Sequence, residues 1–173
     1  MRTVFSTLSR LIDSLNDKVG NLVSWLCFSM VIVTFGVVVA RYAFNEGSIM
    51  VQETVIYMYA FVFMLGAGYT YLNEGHVRVD IFFKNRTRKQ QAKINILGNL
   101  LLLLPMVSAI FWYSFPYVKF SWSLFEGSKE AGGFDYVYLL KSAIPALCIL
   151  LGLQAISEII KNYNKMIGKK STS

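Results

Sequence analysis

The stretch VGNLVSWLCFSMVIVTFGVVVA, Val19 to Ala40, lies between Lys18 and Arg41 and holds no Asp, Glu, Lys, Arg or His in 22 residues. As a helix it is about 33 Å long, enough to cross a hydrocarbon core about 30 Å thick. Two further charge-free gaps follow, 20 residues between Glu53 and Glu74 and 25 between Lys93 and Lys119. A fourth apolar run, from about Tyr136 to Ile160, has only Lys141 near its start and Glu158 near its end. These runs are apolar all round, which separates them from half-buried helices of soluble proteins. The whole chain agrees: 55% of its 173 residues are hydrophobic, 16% are charged and the mean hydropathy is +0.48, whereas soluble domains carry about 25% charge. The sequence therefore predicts an all-α integral membrane protein with four transmembrane helices, at 20–43, 50–73, 94–118 and 136–160. That leaves no room for a large soluble catalytic domain.

Orientation follows from the 17 Lys and Arg residues, because positively charged connections stay in the cytoplasm. Three precede the first span, six lie in the basic connection 74–93 and four in the tail 161–173, against only Arg41, Lys119 and Lys129 on the other side. Both termini are predicted to be cytoplasmic and the connection 119–135 periplasmic. The net charge of +7 then marks topology and attraction to anionic headgroups, and excludes a nucleic-acid partner, which would need a basic soluble face. The first apolar stretch is longer than the 7–15-residue core of a secretory signal and lacks a small-residue cleavage site, so it is expected to remain as an anchor. Ahead of it, Val4, Phe5, Leu8, Leu11, Ile12, Leu15 and Val19 share one helical face opposite Arg2, Ser6, Arg10, Asp13 and Asp17. This pattern predicts an amphipathic interfacial helix over 1–19. In the basic connection, Val79, Ile81, Phe82 and Phe83 can dip into the interface, and Thr87 with Gln90 has capping-box spacing for a helix running into the third span.

The chemistry available is sparse. His76 is the single histidine and the two cysteines, Cys27 and Cys148, both fall within spans. A bis-histidine haem and a histidine-rich metal site are excluded, the cysteines read as small apolar residues rather than redox partners, and no CxxC pair, phosphate loop or nucleophile motif is present, so neither enzyme activity nor a cofactor is expected. Ionisable groups at membrane depth need a partner or a function. Arg41 closes the first span, Glu53 opens the second and Lys141 sits about one turn into the fourth. A structural ion cluster of Arg41, Glu53 and Lys141 is the first reading of these charges; pairing completed by another chain, or a titrating coupling carboxylate at Glu53, are the others.

An ordered series of residues resembles the small membrane subunit, the Q or DctQ type, of tripartite ATP-independent periplasmic (TRAP) transporters. Arg41-Tyr42 with Phe44-Asn45 is similar to that family's first-span ending, and Glu53 to its acidic residue in the second span. The segment containing Gly75, His76, Arg78 and Asp80 is its most specific signature. Ser121-Trp122, Glu126, Ser128, Gly132-Gly133, Lys141, Pro145 and Gln154 follow in order. Two departures are Met50-Val51-Gln52-Glu53, where many members carry a tryptophan and paired acids, and Asp135, where a proline often follows the glycine pair. The resemblance implies a cytoplasmic (inner) membrane location and two protein partners: a separate large membrane subunit that moves substrate and sodium ions, and a periplasmic substrate-binding protein. This chain would be the static scaffold, transporting an organic acid only as part of the complex, with sialic acid slightly ahead of a C4-dicarboxylate. Lys119, Glu126, Lys129, Glu130 and Asp135 are then expected to contribute to periplasmic docking. The competing expectation is a self-contained, proton-coupled four-helix transporter, a homodimer with Glu53 as its coupling carboxylate.

Overall fold

In the computed structural model, residues 2–73 and 86–167 are described. The signature residues Gly75, His76, Arg78 and Asp80 lie outside them. The elements are α1 (Arg2–Ala43), α2 (Ile49–Leu72), α3 (Arg88–Gly98), a π turn (Asn99–Leu103), α4 (Leu104–Ser123), α5 (Val137–Lys141) and α6 (Ala143–Met166). They build four helical stretches long and apolar enough to cross a membrane, Phe5–Ala43, Ile49–Leu72, Arg88–Ser123 and Val137–Met166.

Local chemistry sets several of these boundaries. Ser48 caps α2 by accepting a hydrogen bond from the Val51 N–H. Thr87 and Gln90 form the expected capping box, Gln90 N–H to Thr87 Oγ1 at 3.4 Å and Thr87 N–H to Gln90 Oε1 at 3.1 Å, so α3 starts at Arg88. Two prolines coincide with departures from regular helix, because each lacks the N–H that would bond four residues back. The π turn ends just before Pro105, and the break between α5 and α6 falls at Ser142, just before Pro145.

α6 is the axis of the bundle. It packs against α1, α2, α3 and α4, and the stretch Val137–Met166 that contains it is far more buried than the other three spanning stretches. Val107, Cys148 and Leu151 form a small apolar core with Tyr71, Leu103, Ile110, Phe111 and Leu147 around it. Cys27 and Cys148 are both free thiols, as their positions within spans suggested.

The amphipathic N-terminal segment and the first span are one helix rather than two. In the first half of α1 the buried positions are Ser9, Ile12, Asn16 and Gly20, while Phe5, Leu8, Leu11 and Leu15 are exposed, as are Arg10 and Asp17. The inner stripe thus carries the uncharged polar residues Ser9 and Asn16 rather than the leucines. Asn16 Nδ2 donates to Gln154 Oε1 at 2.8 Å, Gln154 Nε2 to Asp13 Oδ1 at 3.0 Å, and Ser157 Oγ to the same Asp13 oxygen at 2.7 Å. Ser9 and Ser157 share a hydrogen bond of 2.7 Å, and Lys161 bridges Asp13 (2.8 Å) and Glu158 (2.9 Å). The ladder continues through Asn162 and Asn95 (3.3 Å), Asn99 Nδ2 to the Asn95 carbonyl (2.9 Å) and Tyr71 O–H to Asn99 Oδ1 (2.7 Å), reaching α3, the π turn and α2. Close approach of α1 to α2 depends on two glycines. A Cβ at Gly20 would run into the Tyr69 ring, and one at Gly68 into the Asn16 side-chain oxygen.

Hydrogen bonds between membrane helices contribute modestly, about 0.6 kcal/mol on average, but an orphaned buried polar group costs about 1–3 kcal/mol. The ladder consequently fixes which faces meet more than it adds strength. Gln154→Leu, which leaves the Asn16 amide and Asp13 short of partners, is expected to lower stability by about 1–3 kcal/mol, measured by thermal unfolding in detergent.

Candidate functional site

The strongest concentration of side-chain to main-chain contacts outside the ladder lies at the opposite end of the bundle, around the connection 124–136. α4 ends in a Schellman motif: Phe125 N–H bonds the Trp122 carbonyl at 3.3 Å and Glu126 N–H the Ser121 carbonyl at 3.1 Å. The left-handed position of that motif usually holds glycine, yet here it is Phe125, with φ of 45°. A bulky residue there costs about 1–2 kcal/mol. Phe125 is 71% exposed, and its ring meets that of Tyr138 edge-on, 5.8 Å between centroids. The next residue, Glu126, is ion-paired with Lys141 at the end of α5. The Lys141 ammonium also lies 4.0 Å over the Tyr117 ring, and Trp122 Nε1 donates to Ser142 Oγ at 2.8 Å. α4 and the α5–α6 junction are thereby tied together.

The far side of the loop is held by α2. Glu53 Oε1 accepts a hydrogen bond from Ser128 Oγ at 2.6 Å, and Oε2 accepts one from the Phe134 N–H at 2.6 Å. One turn further on, Tyr57 O–H donates to the Phe134 carbonyl at 3.1 Å and its ring packs on Phe134, 5.3 Å between centroids. Both main-chain groups of Phe134 are therefore held from the same helix face. Ser128 Oγ also accepts from the Glu130 N–H at 3.1 Å, and Gly133 N–H bonds the Glu130 carbonyl at 3.0 Å. This geometry explains the glycine pair. Gly132 has φ of +77°, and a Cβ on Gly133 would sit 2.7 Å from Glu53 Oε2 and closer still to the Ser128 hydroxyl.

The structure does not gather Arg41, Glu53 and Lys141 into one cluster. Glu53 spends both oxygens on the loop and Lys141 pairs with Glu126, while Arg41 is exposed at the end of α1 and pairs with neither. Of the residues expected to dock a periplasmic protein, Lys119, Lys129, Glu130 and Asp135 are exposed, whereas Glu126 is partly buried in its ion pair. Spacing gave no hint of Tyr57 or of the Phe134 backbone, because these contacts join positions 77 and 81 residues apart. The inner polar stripe, Ser9, Asp13 and Asn16 on α1 and Gln154, Ser157 and Lys161 on α6, did leave a periodic signal, polar residues recurring every three or four positions. Among the described residues no group of His, Cys, Asp and Glu side chains could hold a metal ion.

The Lys141 hydrogen bond holds the Glu126 carboxyl below its ordinary value of 4.5. With the folded-state value depressed, the stabilisation is complete above that ordinary value and is lost as pH falls through the lowered one. Amide exchange at Glu126, read by hydrogen exchange, should accordingly be pH-independent in protection near neutrality and lose protection only below the ordinary value of 4.5. Gly133→Ala is expected to raise exchange at Phe134 at every pH, because the added methyl displaces the Glu53 carboxylate.

Residues 30–164 match the family model described as the DctQ component of tripartite ATP-independent periplasmic transporters. The chain is also similar to the C4-dicarboxylate TRAP transporter small permease protein DctQ of Vibrio cholerae serotype O1 (strain ATCC 39315 / El Tor Inaba N16961), 27% identical over 116 residues, which is 64% of this chain and 49% of the relative. The chain thus spans about half the length of that curated relative. No solved structure matches. With most of its length matched by the family model, and with four helices long and apolar enough to cross a membrane, the chain belongs to the DctQ component family of TRAP transporters.

Proposed function

We propose that this chain is the static scaffold subunit of a sodium-coupled TRAP transporter in the cytoplasmic membrane, with both termini cytoplasmic and the 124–136 loop periplasmic. In this reading its outer helix faces widen the stationary part of a separate, larger elevator subunit, and the loop forms part of the docking surface for a periplasmic substrate-binding protein. One observation carries the proposal. The bundle pairs most of its buried polar groups around α6, the Asn16 side-chain oxygen excepted, and turns large apolar residues outward on its other helices, including Leu22, Trp25, Phe28 and Phe35 on α1 and Trp112 and Tyr113 on α4. Such faces suit lateral contact with lipid and with another membrane protein. The basic segments at the other end would hold the frame against anionic headgroups.

The transported compound is an organic acid. The matched relative is named for C4-dicarboxylates, which makes these the first class to test and sialic acid the second. Autonomous proton-coupled transport through Glu53 finds less support, since both carboxylate oxygens already accept hydrogen bonds from the loop.

Purified from its native membrane in mild detergent, the chain is expected to bring with it a much larger helix-rich membrane protein at one to one, identified by mass. Isolation as a homodimer that transports alone in liposomes would overturn the scaffold reading. Charge reversal at exposed Lys129 is expected to weaken docking of the binding protein and slow uptake while leaving the complex assembled. Reversal of Glu126 is a poorer probe of docking, because it also breaks the pair with Lys141.

A further inference from the structure

We propose that Glu53 is a positioning residue: its carboxylate latches the 124–136 loop onto α2 and so presents the exposed tip Lys129–Gly132 as a preformed recognition surface for a soluble protein. The inference rests on the docking role assigned to that loop above.

Three features support it. The first is the carboxylate's position. A carboxylate in the second turn of a membrane-spanning helix is costly, and here its two oxygens each take one hydrogen bond, from the Ser128 hydroxyl and from the Phe134 N–H. Neither contact joins two transmembrane helices; both go to the loop. A residue needed only for helix packing would turn toward α1 or α6.

The second is the loop itself. At 13 residues between α4 and α5 it is longer than the usual 2–8-residue helix connection in a bundle, and chains of that length stay mobile unless tied down. Here the ties flank the exposed tip: Glu126 to Lys141 and Ser128 to Glu53 before it, and Phe134 to Glu53 and Tyr57 after it. Glycine at 133 leaves space for the carboxylate, and glycine at 132 supplies the positive φ that turns the chain back.

The third is what the ties leave free. Lys129, Glu130, Ala131 and Gly132 are all exposed, and they carry one cationic and one anionic side chain side by side. Opposite charges held on a fixed turn suit a soluble protein that carries the complementary pair. Ordering the tip in advance removes the cost of immobilising it on binding, about 0.5–1.5 kcal/mol for each rotamer-rich side chain.

The test uses the whole transporter complex in nanodiscs, with Cys27 and Cys148 replaced by alanine and a spin label attached through Ala131→Cys. Glu53→Ala is expected to raise label mobility and to raise about tenfold the binding-protein concentration giving half-maximal uptake, with the maximal rate retained. Glu53→Gln, which keeps the volume and one acceptor, should fall between wild type and alanine. Tyr57→Phe, which removes only the bond to the Phe134 carbonyl, should move both readouts the same way by less. Should Glu53→Ala fail to assemble, Tyr57→Phe and Ser128→Ala carry the comparison. A label that stays immobile in Glu53→Ala, or one that becomes mobile with no change in half-saturation, overturns the latch. So does loss of the maximal rate with half-saturation unchanged, the signature of a coupling residue. Lys129→Glu, made with the latch intact, separates the two levels. If it weakens docking while the Glu53 variants do not, only the latch falls. If neither weakens docking, the docking role of the loop falls with it.

Discussion

A hydrocarbon phase offers no hydrogen bonds, so every polar group within a membrane helix has to find its partner inside the protein. That constraint organises this chain. Gln154, Ser157, Lys161 and Asn162 all lie on α6 and all need partners; they find them in Ser9, Asp13 and Asn16 of α1 and in Asn95 of α3, while Glu158 pairs along α6 with Lys161. Satisfying α6 determines which face of each neighbour turns inward, and the apolar faces are left outside by default. The result inverts a soluble bundle, with a polar seam at the axis and aromatic and aliphatic side chains on the perimeter.

The two ends of the bundle solve different problems with the same means. At one end the seam binds four helical segments to one another. At the other, Glu53, Tyr57 and Lys141 use comparable hydrogen bonds and an ion pair to hold an irregular segment in one shape. Strain is retained there too, since Phe125 occupies a backbone conformation that glycine would adopt freely. A rigid axis with a shaped loop on one end fits the proposed scaffold role, in which a part that does not move braces a moving neighbour and offers a fixed landing surface.

Spans and local caps were legible in the sequence because their signals are one-dimensional. Twenty or more residues without charge admit few structures other than a membrane helix, and the Thr87–Gln90 capping box depends on residues three apart. The inward face of residues 2–19 was not legible. An amphipathic stripe tells which residues share a face, and not which face is wet; Leu8, Leu11 and Leu15 proved to face outward once Asn16 and Ser9 had partners on α6. Nor was the pairing of the membrane charges legible. Arg41, Glu53 and Lys141 lie near one end of the bundle, but Glu53 bonds to a hydroxyl and to a main-chain N–H, an acceptor–donor match that the count of positive and negative residues cannot reveal. The glycine pair, noticed as a motif, acquired its reason only with the carboxylate beside it.

The most direct test of the inverted bundle is disulfide trapping between α1 and α6 in the membrane-embedded complex. Ser9→Cys with Ser157→Cys, with the native cysteines replaced by alanine, puts two thiols where the hydroxyl oxygens stand 2.7 Å apart in the buried seam. Rapid, near-complete cross-linking within one chain, with none for Leu11→Cys paired with Ser157→Cys, is the predicted result. Failure of the 9–157 pair to cross-link, with position 9 freely labelled by a water-soluble maleimide, would contradict it: the N-terminal helix would then lie apart from α6, and the polar seam would not be what orders the fold.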